Sequence, residues 1–231
     1  MSKLRISPYA SFEGLYEVDT EEGQQLATLN LSPGKGVYGE RLIEYQGKEY
    51  RLMNPYRSKL AAAVVKGTDL MPIKPGMKVL YLGVASGTTA SHVSDIVGPR
   101  GTVFGVDFAY RPMRDLINNV CIYRSNLLPI LGDARIPESY RTMVGIADCL
   151  YCDIAQPEQA SILADNADMY LRDGGWAMLA IKARSIDVTK APSELYERET
   201  ETMRKRGFSI NQAIPLEPFD IDHVMIIAKY R

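Results

Sequence analysis

Up to about residue 53 the chain alternates apolar and polar positions in short runs; beyond it, continuous apolar stretches are separated by amphipathic segments. A period of two marks half-buried strands, as in LATLNL and in RLIEY and KEYRLM on either side of Gln46-Gly47. That pair of turn residues predicts a hairpin. Residues 1–53 are therefore expected to form a small antiparallel β domain. So short a module is marginal alone and should pack on the remainder of the chain.

The second pattern predicts alternating helices and strands. Asn54-Pro55 reads as a helix start, with Tyr56, Leu60, Ala63 and Val64 on one face and Gly67 as the stop. VLYL (79–82) is then a strand, 88–97 a helix, TVFGV (102–106) a strand and 111–123 a helix. LPIL, CLYC and WAMLAIK are further strands, with helices near 157–171 and 192–206. FSINQAI and HVMIIAKY close the chain with no helix between them. Parallel βα repeats ending in an adjacent strand pair predict an α/β, Rossmann-like, doubly wound sheet over residues 54–231, its last strand antiparallel.

Composition adds limits. Of 231 residues, 46% are hydrophobic and 24% charged, the balance of an ordinary globular protein. No apolar run is long enough to span a bilayer, and MSKLRISPYASFEG lacks the apolar core of a secretion signal, so a cytoplasmic protein without membrane contact is expected. The odd number of cysteines fits a reducing compartment. Cys149 and Cys152 form a C-x-x-C inside a strand, where positions three apart face opposite ways, so no metal site is expected. A net charge of −1 gives no global footprint for nucleic acid.

The candidate chemistry starts in VLYLGVASGTTASHV, residues 79–93. A strand, a glycine-containing turn and a helix start bring backbone N–H groups to the carboxyl edge of the sheet, where ligands bind. Thr89, Val93, Ile96 and Val97 make the inward face of that helix, which leaves His92 as an expected solvated residue. A dinucleotide site needs a second glycine for close approach to a pyrophosphate. Here the turn offers Gly83, Ala85 and Gly87. Asp107, ending the next strand, stands where a ribose-binding carboxylate belongs, and Asp133 in LGDAR suits the exocyclic amine of adenine. These features favour a phosphate-free nucleoside cofactor, S-adenosylmethionine (SAM), and the seven-stranded methyltransferase form of the fold.

GVYGE, NPYRSKLAAAV, YLGVASGTTASHVSDIVG, GDAR and DIAQP resemble fibrillarin, and the resemblance covers nearly the whole chain. It implies a SAM-dependent RNA 2′-O-methyltransferase of box C/D ribonucleoproteins, acting on pre-ribosomal and transfer RNA. It also implies partners: a Nop5-type scaffold protein, an L7Ae-type kink-turn-binding protein, a guide RNA and a target RNA. The glycine/arginine-rich extension of nuclear members is not in this sequence, so the chain is similar to the archaeal form. Carried over by motif, the cofactor contacts are the turn residues Gly83, Ala85 and Gly87, then Thr88 and Thr89, Asp107 and Phe108, Asp133 and Ala134, and Asp153, Ile154, Ala155 and Gln156. Asp107 replaces the glutamate of many members. The family's Lys-Asp-Lys-His set falls on Lys59, Asp153, Lys182 and His223.

A ribose hydroxyl that attacks a methyl group must lose its proton. Lys182 is the candidate base, but a lysine accepts a proton only when neutral, and its ordinary pKa is about 10.4. Lys182 positioning the 2′-oxygen with Asp153 taking the proton is the other assignment, and His223 is expected to orient the group. Spacing alone does not select these four residues, because lone lysines are ordinarily solvated and a strand-end aspartate commonly caps a turn. Two basic groupings, Arg57, Lys59 and Lys66 with Lys182, Arg184 and Lys190, and Arg111, Arg114 and Arg135 beyond them, are a candidate phosphate track or plain solvated charge. The competing functions are a NAD-type oxidoreductase and a non-catalytic scaffold of the same fold.

Overall fold

The computed structural model describes residues 4–21 and 23–231, so the first three residues of the expected 1–53 unit lie outside the described residues. Its N-terminal part is a five-stranded antiparallel sheet of β1 (Arg5–Pro8), β2 (Leu15–Thr20), β3 (Gly23–Leu29), β4 (Leu42–Tyr45) and β5 (Lys48–Met53), in the order β1-β2-β3-β5-β4. The expected hairpin joins β4 to β5, with Tyr45 opposite Lys48. Gln46 and Gly47 both have positive φ, 52° and 72°, as a two-residue turn with the strands' own twist requires.

The rest is α/β: α1 (Lys59–Val65), β6 (Lys78–Leu82), α2 (Thr88–Val97), β7 (Thr102–Asp107), α3 (Tyr110–Asn119), β8 (Leu127–Leu131), β9 (Ala147–Cys152), α4 (Gln159–Tyr170), β10 (Leu171–Lys182), α5 (Ala183–Ile186), α6 (Pro192–Lys205), β11 (Phe208–Pro215) and β12 (His223–Tyr230). The seven-stranded sheet runs β11-β12-β10-β9-β6-β7-β8. The strands from β8 to β10 pair in parallel, and β12 lies antiparallel between β10 and β11. From β6 the chain steps outward to β7 and β8, then returns to place β9 on the other side of β6. That reversal opens a crevice at the carboxyl ends of β6 and β9.

Helices cover both faces, which is why the central strands read as unbroken apolar runs. Val79, Tyr81, Cys149 and Tyr151 face the layer of α1, α2 and α3; Leu80, Leu82, Leu150 and Cys152 face that of α4 and α6. Cys149 and Cys152 thus point to opposite faces, as a spacing of three in a strand dictates. Burial pushes both thiols up, Cys152 to about 12.

The N-terminal sheet shares its core with the larger one. Phe12, Leu15, Leu26 and Met53 join the cluster built on α1 and α2. This packing overturns the expectation for His92, which is fully buried instead of solvated. One face of α2 meets the large sheet, and β3 and β5 cover the other. At that second contact Arg51 bonds Asp95 at 2.7 Å, Glu40 at 2.7 Å and Ser91 at 2.8 Å. Arg124 pairs with Asp95 and reaches Asn30 at 3.0 Å. The paired charges balance, which is the condition for burying them.

His92 completes this network. Thr28 Oγ1 gives its one proton to Asp95, 2.9 Å away, so His92 Nδ1, at 2.8 Å, must donate to Thr28. Nε2 is then the acceptor facing the Tyr38 hydroxyl at 2.8 Å, whose one proton also has the Leu52 carbonyl within reach at 3.1 Å. Burial first, then the charges of Arg51 and Arg124, hold His92 well below the ordinary histidine value, so the ring is neutral.

A second expectation needs correction. Asn54-Pro55 does not start a helix. Asn54 Oδ1 accepts the Tyr56 N–H at 2.9 Å and its carbonyl accepts from Arg57 at 3.0 Å, so residues 54–57 form a turn with proline in its favoured second position. Ser58 is the true cap, its Oγ accepting from the Ala61 N–H at 3.3 Å. Tyr56 therefore lies off the helix and 65% exposed. The expected 111–123 helix is also shorter, because α3 ends at Asn119 and residues 121–123 form a separate 3₁₀ turn.

Candidate active site

The first half of the site is the turn after β6. Gly83 (φ 80°), Ala85 (φ 48°) and Gly87 (φ 92°) all adopt positive φ. Ala85 turns its N–H onto Asp107 Oδ2 at 2.9 Å, while Asp107 Oδ1 accepts from Ala109 at 2.8 Å. The N–H that a pyrophosphate would use in a dinucleotide turn is thus spent inside the protein. Asp107 keeps lone pairs on both oxygens, which suits the hydroxyl donors of a ribose.

Gly83, Ala85, Asp107, Phe108, Asp133, Ala134 and the run Asp153–Gln156 line one cleft of about 220 Å³ at the crevice. Lys182 reaches the same cleft, as do Val106, Gly132 and Arg135, which the sequence reading did not include among cofactor contacts. Gly132 is required by packing: a Cβ there would stand 2.9 Å from the Tyr140 ring. Phe108 is 63% exposed, a free aromatic face at the cleft rim.

Gly87, Thr88 and Thr89 lie outside that lining. Gly87 sits at the N-cap of α2, and a Cβ on it would meet Leu116 at 2.5 Å. Thr89 is buried and gives its hydroxyl to Ser58 Oγ at 3.1 Å. Asp133 is in the cleft but clasped by Arg135, whose Nε lies 3.0 Å from Oδ1 and 3.1 Å from Oδ2. The guanidinium's hydrogen bonds hold Asp133 below the usual carboxylate range. An adenine amine would share these oxygens with Arg135. With apolar Phe108, Ala134 and Ile154 beside the Asp107 carboxylate, and the Ala85 N–H already held by that carboxylate, the residues present fit SAM better than NAD.

The second half gathers Lys59, Asp153, Lys182 and His223 from four elements. Lys59 opens α1, Asp153 follows β9, Lys182 ends β10, and His223 opens β12 directly opposite Lys182 in the sheet register. Lys182 Nζ lies 2.9 Å from Asp153 Oδ1 and 3.3 Å from the Asp153 carbonyl oxygen. Lys59 Nζ stands 3.3 Å from the same Oδ1. Burial opposes charge on Asp153, but Lys182 and then Lys59 outweigh it and hold the carboxyl below its ordinary range. Burial likewise opposes charge on Lys59, and Asp153 and Asp220 overcome it, leaving this ammonium above its ordinary value. Lys59 therefore stays protonated at neutral pH and cannot serve as base.

Sequence reasoning missed Asp220. Its Oδ2 is 3.3 Å from Lys59 Nζ and its Oδ1 is 2.9 Å from His223 Nδ1. The signal was an acid three positions before the histidine in FDIDH. The basic groupings are largely tied up: Arg184 pairs with Asp222, Lys190 with Glu194, Arg114 with Asp115 and Arg135 with Asp133. Arg57, Lys66 and Arg111 have no carboxylate partner among the described residues.

Comparison with known proteins gives a consistent set of likenesses. The family model described as Fibrillarin matches residues 6–231. The "Fibrillarin-like rRNA/tRNA 2'-O-methyltransferase" of Staphylothermus marinus is 56% identical over 229 residues, covering 99% of this chain and 97% of that protein. Among solved structures, Aeropyrum pernix fibrillarin in complex with natively bound S-adenosyl-L-methionine superposes with a TM-score of 0.92 at 55% identity, covering 99% of this chain and 100% of that one. The chain from a fibrillarin/Nop5p complex gives a TM-score of 0.85 at 36% identity, covering 97% and 100%.

Proposed function

The chain belongs to the fibrillarin family, and from that premise we propose that it is the SAM-dependent RNA 2′-O-methyltransferase subunit of a guide-RNA particle, acting on ribosomal and transfer RNA. The observation that carries this reading is the double duty of Asp153. It lines the cleft that holds Asp107 and Phe108 and also pairs with Lys59 and Lys182, so that cleft and the lysine–carboxylate cluster meet at one carboxylate. The natively bound SAM in the Aeropyrum fibrillarin supports the cofactor. The complex of a relative with Nop5p supports a Nop5-type scaffold as partner. An L7Ae-type protein and a box C/D guide RNA complete the particle we propose.

SAM, when bound, supplies a methyl group on a positively charged sulfur. The chain's residues then have separable tasks. Asp107 accepts hydrogen bonds from the ribose hydroxyls, and Phe108 and Ile154 flank the base. Lys182 holds the target 2′-oxygen and its phosphate beside the cleft, converting an encounter into an oriented displacement. As the new oxygen–carbon bond forms, the hydroxyl becomes strongly acidic, so a weak base suffices to remove its proton late in the transfer. Asp153, a carboxylate within reach of Lys182, meets that requirement better than the lysines, which are charged partners in its ion pairs. Lys59 stays protonated and keeps Asp153 ionised until that moment.

The test is calorimetry with SAM and NADH, followed by reconstitution with a Nop5-type protein, an L7Ae-type protein and a guide RNA. Methyl transfer to a guided target, with SAM bound and NADH ignored, is the expected outcome. A particle that assembles and binds SAM but transfers no methyl would leave the scaffold reading in its place.

A further inference from the structure

His223 is held by a neighbour that the four-residue set does not include. Asp220 lies in the turn between β11 and β12, where the N–H groups of Phe219 and Asp220 both donate to the Leu216 carbonyl, at 2.9 and 3.2 Å. Its two carboxylate oxygens reach in different directions. Oδ1 is 2.9 Å from His223 Nδ1, and Oδ2 is 3.3 Å from Lys59 Nζ. His223 Nδ1 also faces the Ile221 carbonyl oxygen at 2.7 Å. Both neighbours of Nδ1 are acceptors, so that nitrogen carries the ring proton. The other ring nitrogen, Nε2, has no partner among the described residues.

Asp220 also settles the charge of the cluster. Lys59 and Lys182 are matched by Asp153 and Asp220, with the largely buried side chains of Lys59, Lys182 and Asp153 excluding much of the solvent that would screen them. Without Asp220, the Lys59–Lys182–Asp153 cluster would carry one uncompensated positive charge. Lys59 would also lose one of its two carboxylates and one of the restraints on its position.

We propose that Asp220 is a positioning residue for methyl transfer, which bridges Lys59 to His223 and joins the separate side chains at the carboxyl edge into one connected, charge-balanced unit. It touches neither cofactor nor target; it fixes the His223 ring through Nδ1 and holds Lys59 over Asp153. This inference rests on the function proposed above. Asp222, two residues on in the same turn, pairs outward with Arg184 and serves as the internal control.

The experiment compares wild type, Asp220→Asn, Asp220→Glu and Asp222→Asn in the reconstituted particle, measuring single-turnover methyl transfer and SAM affinity. It also measures the acylation rate of Lys59 in the isolated chain by mass spectrometry. Loss of a positioning contact costs on the order of tenfold to a hundredfold in rate. That loss is expected for Asp220→Asn with SAM affinity unchanged, substantial recovery in Asp220→Glu, and none in Asp222→Asn. Lys59 should acylate faster in Asp220→Asn, because the ammonium loses a carboxylate that keeps it protonated. Wild-type transfer in Asp220→Asn, or a rate loss matched by lost SAM affinity, overturns the proposal. A wild-type particle with no transfer defeats the proposed function instead; Lys59 acylation then decides the bridge alone, and an unchanged rate overturns it.

Discussion

Gly83 and Asp153 meet backbone to backbone at the centre of the sheet: a Cβ on Gly83 would stand 2.4 Å from the Asp153 carbonyl oxygen. This approach joins the cofactor turn to the catalytic cluster, and neither side can yield, because the Asp153 N–H is bonded to the Leu82 carbonyl at 2.9 Å. Gly83→Ala is expected to be severely destabilising, by about 3 kcal/mol or more, through a steric clash at a positive φ. Gly98→Ala is the contrast. It has φ 69° and ψ −174°, a backbone region kept almost entirely to glycine, but nothing within 4 Å, so only the backbone cost of about 1–3 kcal/mol applies. Denaturant midpoints of the two variants check the ordering; equal losses would contradict it.

Lys182→Ala removes the nearest cation to Asp153 from the edge of the cleft. Loss of methyl transfer is predicted, with SAM affinity kept within about a few-fold, because the interaction belongs to the oriented transfer more than to cofactor binding. Calorimetry and single-turnover transfer separate the two. A variant that transfers at the wild-type rate would remove Lys182 from the mechanism.

The buried network between β5 and α2 predicts a pH and mutational signature. Arg51→Met leaves Asp95 and Glu40 short of a partner and should cost about 3–5 kcal/mol, read as a lower denaturant midpoint. His92 has a folded-state pKa well below its unfolded value. The unfolded chain therefore binds the extra proton first as pH falls. Its contribution to stability is present above the unfolded value near 6.5 and is lost progressively as pH falls from there toward the folded value. His92→Gln should flatten stability between pH 7 and 5. An unchanged slope would show that the ring does not titrate with unfolding.

RNA binding by the isolated chain should be weak. The net charge is −1, and most of the basic residues near the site are paired with carboxylates. Phosphate contacts and released counterions supply most non-specific affinity, and here few cations are free to make them. Filter binding at two salt concentrations tests this; tight, strongly salt-dependent binding by the chain alone would contradict it.

The sheet was legible in the sequence because its strands are buried on both faces, and a continuous run such as VLYL has few other readings. The hairpin at Gln46-Gly47 was legible because few residues tolerate two positive φ angles in succession. His92 and Arg51 were not. A helix periodicity shows that one face is inward, yet it does not show that a second sheet covers the other, and Arg51 sits on a polar position of an alternating strand while being fully buried. Asn54-Pro55 is as good a turn as a helix start, and only Ser58 one turn later decides between them. At the site, the cofactor turn and Asp107 could be read from chemistry. Lys59, Asp153, Lys182 and His223 came from resemblance, since each alone looks like an ordinary solvated or capping residue, and Asp220 needed the fold that brings a late turn against α1.

The most direct test of the central claim is to map the methylated nucleotide while the guide is changed. A particle reconstituted with methyl-labelled SAM is given two guides that pair with the same target one nucleotide apart, and the product is read by mass spectrometry of its digested fragments. A single 2′-O-methyl group that moves by one nucleotide with the guide is the predicted result. Methylation of a base, of a fixed position whichever guide is used, or of nothing while SAM remains bound, would contradict it.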